Sequence, residues 1–350
     1  MQDDLFGSDA PVPGHPPSRR TTHHKATVLA APPTDALLAL ASTVPRSLRL
    51  GVSTWSYPGW DGLVWDGVYD ASVLSRKGLE ALSQHPLMRT VCVDRTFWRP
   101  LTVEQYAQMA AQVPHDFRFV VKCPNVITDA TVRNEQGQGQ ARNPAFLNAA
   151  MAIAQFVHPT LQGLGDKLGV LVYQMSPMPW EVLKHPTRLL AQMAQVLAAT
   201  QEALHSHPQV IVAVECRDPV LLSDPLIDTL RSYGATLCLG LHGKMPPIEE
   251  QLPWLRQLWP TPLVCRWNLN RIFGPFGYPQ AQDKHQPFDT VRTPDAHTRT
   301  VLAKTIVGIT GARQPAFVTI SNDAEGCAPR SIALLVEAIQ LRSKDVGSAA

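Results

Sequence analysis

Val210-Ile211-Val212-Ala213-Val214-Glu215-Cys216 is an almost unbroken apolar run that closes on a carboxylate, and Ala235-Thr236-Leu237-Cys238-Leu239-Gly240-Leu241 repeats the pattern further on. Between them, Leu222–Tyr233 carries its apolar residues at helical spacing. A strand that is apolar along its whole length has both faces covered. A sheet with one wet face alternates apolar and polar residues instead. The stretch therefore reads as strand, crossover helix, parallel strand.

The alternation extends in both directions. Further β-rich runs are Leu48–Thr54, Thr90–Thr96, Phe117–Cys123, Leu168–Tyr173, Leu263–Trp267 and Ala316–Ser321. Helical spacing returns in Glu104–Val113, Phe146–Val157, Ala296–Val307 and Ile332–Leu341. It is clearest in Leu189, Leu190, Met193, Val196 and Leu197, which share one helix face. Eight strands alternating with helices predict a single TIM-like (β/α)8 parallel barrel, with an open doubly wound sheet as the alternative. The first turn lacks G-x-G-x-x-G and no P-loop occurs. Nucleotide binding of those types is disfavoured.

The barrel domain is expected over residues 47–342, with a disordered N-terminal tail at 1–46 and a loose tail at 343–350. Residues 1–46 hold seven prolines and little apolar content, too little to offset ordering entropy. Ala36–Leu40 is the exception, a short helix capped by Thr34 and resting on the domain. At the extreme end, Gln2-Asp3-Asp4-Leu5-Phe6 is similar to the peptide with which bacterial replication and repair proteins dock on the DNA sliding clamp. Leu5 and Phe6 are an adjacent apolar pair for a greasy pocket, and Gln2 suits its polar rim. The sliding clamp is thus an expected partner, with the tail as tether.

A chain of 350 residues with 45% hydrophobic content can bury a sizeable core. A net charge of +2 excludes broad nucleic-acid binding through charge alone. No apolar run approaches the roughly 20 residues of a membrane helix. Asp3 and Asp4 with no apolar stretch behind them argue against a secretory signal. The six cysteines stand singly in apolar runs, as buried thiols of a reduced, cytoplasmic protein do. They form a zinc or iron–sulfur cluster only if the fold gathers them.

In a parallel barrel the C-terminal strand ends share one face, where active sites lie. Polar residues crowd those ends. They are Ser53, Thr54, Trp55 and Tyr57 on the first strand, Asp94 and Arg95 on the second, Lys122 on the third and Gln174 on the fourth. Glu215, Arg217 and Asp218 follow on the fifth, His242 on the sixth, Arg266 and Asn268 on the seventh, and Asn322 and Asp323 on the eighth. The first chemistry they suggest is general acid/base work by Glu215 with Asp94 or Asp323. Lys122, Arg217 and Arg266 would clamp a small anionic or phosphorylated substrate, or a nucleotide. Trp55, Tyr57, Arg95, Gln174, His242, Asn268 and Asn322 complete the expected binding site. Trp55, Tyr57 and Trp60 are candidates to stack a base or sugar, or to form a packed plug.

Other readings stay open. A divalent metal, the one cofactor considered, would sit on Asp94, Glu215, His242 and Asp323 and hydrolyse a phosphodiester. Lys122 would form a Schiff base. The charges would be a ring of structural ion pairs, such as Glu215 with Arg266. Or the barrel would bind a nucleotide or DNA end without turnover. Two long connections, Pro124–Pro144 and Asn268–Pro294, also fall on this face. The first reads as a polar insertion. The second carries Phe273, Phe276 and Tyr278 and is expected to be ordered, because exposed aromatics are costly.

Gly51-Val52-Ser53-Thr54-Trp55-Ser56-Tyr57-Pro58-Gly59-Trp60 resembles the opening motif of the YecE-like family, domain of unknown function seventy-two. Asp94-Arg95-Thr96-Phe97-Trp98-Arg99-Pro100 is similar to its N-S-T-F-Y-R-x-P block. Phe117–Pro124 with Ile127-Thr128 is similar to its F-x-F-x-x-K-x-P and I-T-H stretch. Leu168–Gln174, Val214–Asp218, and Asn322-Asp323 through Gly326, Ala328 and Pro329 resemble later blocks. Six blocks in order, over roughly residues 48–340, make a specific match. The resemblance implies a TIM-like barrel and no settled activity. Three departures stand out. Cys92 replaces a Glu and Asp94 an Asn of that family pattern, Asp129 replaces the His of I-T-H, and Asn268 stands where His is more common.

Overall fold

The computed structural model describes residues 27–134 and 138–348. Eight parallel strands close into a barrel. They are β1 (Leu48–Val52), β2 (Thr90–Val93), β3 (Arg118–Lys122), β4 (Leu168–Gln174), β5 (Ile211–Glu215), β6 (Thr236–Leu241), β7 (Leu263–Trp267) and β8 (Ala316–Ile320). Each pairs with its sequence neighbour. Closure comes from β1, which pairs with β2 through Gly51↔Thr90 and with β8 through Leu48↔Ala316 to Val52↔Ile320. That double pairing excludes the open sheet.

Side chains alternate across a strand, so every second residue enters the barrel. The interior packs Cys92, Val120, Val170, Val172, Ala213, Cys238, Val264 and Phe317 together. The intervening residues pack outward against the helices in the larger core. Counting on by two from the interior row gives the polar layer above it: Cys92 to Asp94, Val120 to Lys122, Val172 to Gln174, Ala213 to Glu215, Val264 to Arg266 and on to Asn268. The strand period thus carries the chemistry-bearing side chains to one end of the interior.

Ordered structure starts earlier than residue 47. Val28 is buried, and Ala30 bridges to Trp65. A helix spans Asp35–Ser42, with the Thr34 hydroxyl accepting the Leu37 N–H at 3.2 Å. Its Leu37, Leu40 and Ala41 rest on the core, and Gln340 Nε2 donates to Thr43 Oγ1 at 2.7 Å. This is the short helix capped by Thr34 that the sequence set apart from its proline-rich surroundings. At the other end, the helix Ala328–Ser348 runs past residue 342. The clamp-like peptide Gln2–Phe6 lies outside the described residues. No helix among the described residues is long and apolar enough to cross a membrane.

Both long connections carry structure. The first contains the short helix Asn125–Thr128 and a hairpin of Thr131–Arg133 with Gly139–Arg142. The second contains the helix Tyr278–His285, but Phe276 remains 79% exposed.

Barrel closure leaves no room at Gly51, where an added Cβ would lie 1.8 Å from the Thr90 carbonyl oxygen. Gly51→Ala is expected to force β1 from β2 and cost about 1–3 kcal/mol or more. A urea melt checks this, and an unchanged midpoint would contradict the tight β1–β2 seam.

Candidate active site

The layer above the apolar interior is organised around Glu215, which is fully buried. Its Oε2 meets Arg266 Nη1 at 2.6 Å, and its Oε1 meets Arg217 Nη2 at 2.7 Å and accepts from Asn268 Nδ2 at 3.3 Å. The Gln174 side-chain oxygen accepts from both guanidinium groups, at 2.8 Å from Arg217 and 3.0 Å from Arg266. Arg266 Nη2 then reaches Asp94 Oδ1 at 2.6 Å. Burial would push the Glu215 carboxyl up, but Arg217 and Arg266 outweigh it and hold it at about 2. Gly240 on β6 makes the space, since a Cβ there would sit 3.0 Å from the Glu215 carboxylate.

Above this network opens a cavity of about 520 Å³, lined by Asp94, Lys122, Arg217, His242, Asp323 and residues from the surrounding loops. Ser53, Thr54, Tyr57, Arg95, Gln174, Arg266 and Asn268 also border it. Glu215 lies beneath rather than in the wall. Lys122 Nζ stands 3.6 Å from the Phe97 ring centroid and sits in no ion pair among the described residues. Burial lowers its amine to about 7, with Asp94 opposing. Asp323 is nine-tenths buried, and its Oδ1 has no partner among the described residues. Burial raises its carboxyl to about 7, against a hydrogen bond from Ser321. His242 is pushed down to about 3 by burial and then by Arg217, so it is a neutral imidazole. Its Nδ1 accepts the Lys244 N–H at 3.1 Å, which leaves the ring proton on Nε2.

Three expected residues stand elsewhere. Trp55 is buried, with the Arg95 guanidinium 5.4 Å above its ring. Trp60 is core, stacked on Trp65 at 6.2 Å. Asn322 is buried, and its Oδ1 accepts the Ala328 N–H at 2.8 Å at the start of the last helix. These are packing and capping positions. Conversely, the walls include Phe97, Trp98, Lys244 and Phe276, which the strand-end reading passed over. Trp98 and Lys244 stand within a few residues of their strand ends, and Phe276 arrives on the long connection Asn268–Pro294, which the sequence placed on this face.

The metal reading is not supported by the donor set. Arg217 and Arg266 occupy the Glu215 oxygens, Arg266 holds Asp94, and His242 Nδ1 is used. No three His, Cys, Asp or Glu side chains among the described residues come together as ligands. All six cysteines are buried free thiols. The departures at 92 and 94 touch each other. Cys92 Sγ donates to Asp94 Oδ1 at 3.1 Å, and Asp94 is the carboxylate that meets Arg266. Asp129 pairs with Arg133 at 2.6 Å and ties the base of the hairpin.

A family model described as "Protein of unknown function DUF72" matches residues 49–350. The chain belongs to the DUF72 family. A DUF72 family protein of Enterococcus faecalis has a similar fold, with 16% identity, a TM-score of 0.55, and coverage of 84% of this chain and 95% of that one. A DUF72 family protein of Thermotoga maritima is similar at 14% identity and a TM-score of 0.50, covering 84% of this chain and 99% of that one. No curated protein matches. These likenesses show the barrel and carry no activity with them.

Glu215→Gln keeps the shape but removes a carboxylate from between two buried arginines, and is expected to cost about 3–5 kcal/mol. The depressed carboxyl stabilises the native DUF72 barrel above the ordinary glutamate value of 4.5. That contribution disappears as pH falls through about 2. Denaturation across this range should show an acid loss in the wild type that the variant lacks. A variant as stable as the wild type near neutral pH would overturn the structural role of Glu215.

Proposed function

We propose that the mouth of this DUF72 barrel is an active site that transfers protons to or from a small anionic, phosphate- or carboxylate-bearing substrate. The observation that carries this reading is the pairing of a free amine with a bare carboxyl in one buried cavity. Lys122 has no ion-pair partner among the described residues, and Asp323 keeps an unpartnered oxygen. Both titrate near neutrality, where acid/base catalysis is most effective. Glu215, held at about 2 and out of the wall, positions Arg217 and Arg266 instead of exchanging protons.

Charge counting refines the anion clamp. Arg217 and Arg266 are matched by Glu215 and Asp94, and Arg133 by Asp129. The guanidinium of Arg95 is turned to Trp55 and Met109, so the surplus positive charge on the cavity wall belongs to Lys122 and Lys244. Those are the groups assigned to the substrate's anionic part, with His242 and Tyr57 as neutral hydrogen-bonding walls.

As pH falls through about 7, Lys122 gains a proton and so does Asp323, so the mouth becomes more positive. Sulfate, whose own charge is constant there, should bind on the order of tenfold more tightly below that pH than above it. Calorimetry checks this, and Lys122→Met should flatten the dependence. In a screen of phosphorylated and carboxylated metabolites, turnover should fall by about 10²–10⁴ in Asp323→Asn. Anion binding without turnover of any compound would favour a non-catalytic binding module.

The reading includes a cytoplasmic protein carried to the sliding clamp by Gln2, Leu5 and Phe6, supported by the sequence of that peptide. Titration of purified clamp with the intact chain should give affinity near micromolar, about −8 kcal/mol, because ordering the peptide offsets part of the contact energy. A Leu5→Ala, Phe6→Ala double variant should lose it. Equal signals from both proteins, or none from either, would end the link.

A further inference from the structure

Four aromatic side chains among the described residues are more than half exposed: Trp98, Trp180, Trp259 and Phe276. Three of them belong to the mouth face. Trp98 and Phe276 line the mouth itself. Trp98 stands edge-on against Phe97 at 5.2 Å, and Lys244 lies 4.5 Å over the Phe276 ring. Exposed large rings cost solvation, so a group of them around a cavity marks a surface that meets a ligand.

Beside the mouth runs a second cavity of about 720 Å³, between the hairpin and the helix Pro186–Ala203. Arg133 and Pro177 border both cavities, so the two adjoin. Trp180 stands between Pro179 and Glu181, which line the cleft. Arg142 and Arg188 line it as well and form no ion pair among the described residues. The one acidic residue that lines it among the described residues, Glu181, is paired with Lys184. The two spaces together exceed the roughly 300–1,000 Å³ that suits a drug-sized ligand. A metabolite would fill the mouth and leave the cleft without a use.

We infer that this face binds a single-stranded nucleic acid, with one end in the mouth and the following nucleotides along the cleft between the hairpin and the helix. Exposed rings accept the face of any unstacked base, and unpaired arginines follow the phosphates. A duplex keeps its bases stacked and out of reach of the rings, and a chain of net charge +2 has no broad basic surface for it. A neutral sugar chain would stack on the rings but leave Arg142, Arg188 and Lys244 without a role. The inference rests on the anionic reading of the mouth for the strand's end, and stands independently of it along the cleft.

The test is fluorescence anisotropy of a dye-labelled single strand of about 12 nucleotides with the full chain. The single strand should bind more tightly than the same sequence as a duplex or a heparin oligosaccharide. Trp98→Ala, Trp180→Ala and Phe276→Ala should each weaken binding by about 5- to 150-fold, with the fold intact by circular dichroism. An Arg142→Gln, Arg188→Gln double variant should lower the salt slope by about 1.4. No binding, equal binding of duplex or acidic oligosaccharide, or wild-type affinity in the aromatic variants would overturn the inference. If sulfate binds the mouth with the expected pH dependence while the strand does not bind, only the strand falls. If the strand binds without that dependence, the mouth reading falls by itself.

Discussion

The fully buried Glu215 carboxylate, held between Arg266 and Arg217, is the interaction on which the upper half of the barrel depends. Three charges cannot be taken out of water unless each finds a partner in good geometry. Here β5 supplies the carboxylate and β7 one of the guanidinium groups, while Arg217 arrives from the turn just after β5. Gln174 on β4 accepts from Arg266 Nη1 and Asp94 after β2 from its Nη2. The network thus crosses the barrel interior and links strands that are not neighbours. Its tightness accounts for Gly240, the residue on β6 that leaves space for the carboxylate.

That arrangement decides which groups remain for chemistry. Ion pairs with distances of 2.6 and 2.7 Å fix the two arginines and cancel their charge locally. A carboxyl held at about 2 does not exchange protons near neutrality. Lys122 and Asp323 share the same low-dielectric mouth but lack such partners, and burial shifts both toward neutrality from opposite sides. One layer therefore separates into a rigid charged floor and a titratable wall. Asp94 belongs to the floor, because it reaches Arg266 and accepts a hydrogen bond from the Cys92 thiol.

The loops extend the site beyond the strands. The hairpin after β3 raises Arg133 between the mouth and the cleft, anchored by Asp129. The long segment after β7 lifts Phe276 to the rim, where Lys244 covers its ring. Rigid strands thus hold the charges, while exposed rings stand on the loops around them.

The sequence by itself determined eight parallel strands alternating with helices. Apolar runs such as Val210–Val214, separated by helical periods, fit strands covered on both faces, while closure into a barrel was decided by the pairing of β1 with β8 as well as β2. It also determined that polar residues gather at one end, because the period of two places Lys122, Glu215 and Arg266 above interior residues of their own strands. Only the tertiary structure decided what each of them does. Asp94, Glu215 and Asp323 are alike in sequence as strand-end carboxylates. Asp94 and Glu215 meet Arg266, from residues far away in the chain, and Asp323 keeps an oxygen without a partner. Trp55 and Asn322 likewise sat in promising positions but turned to packing and capping. The physical reason is that strand periodicity is local, whereas the partner of a buried charge is chosen across the barrel.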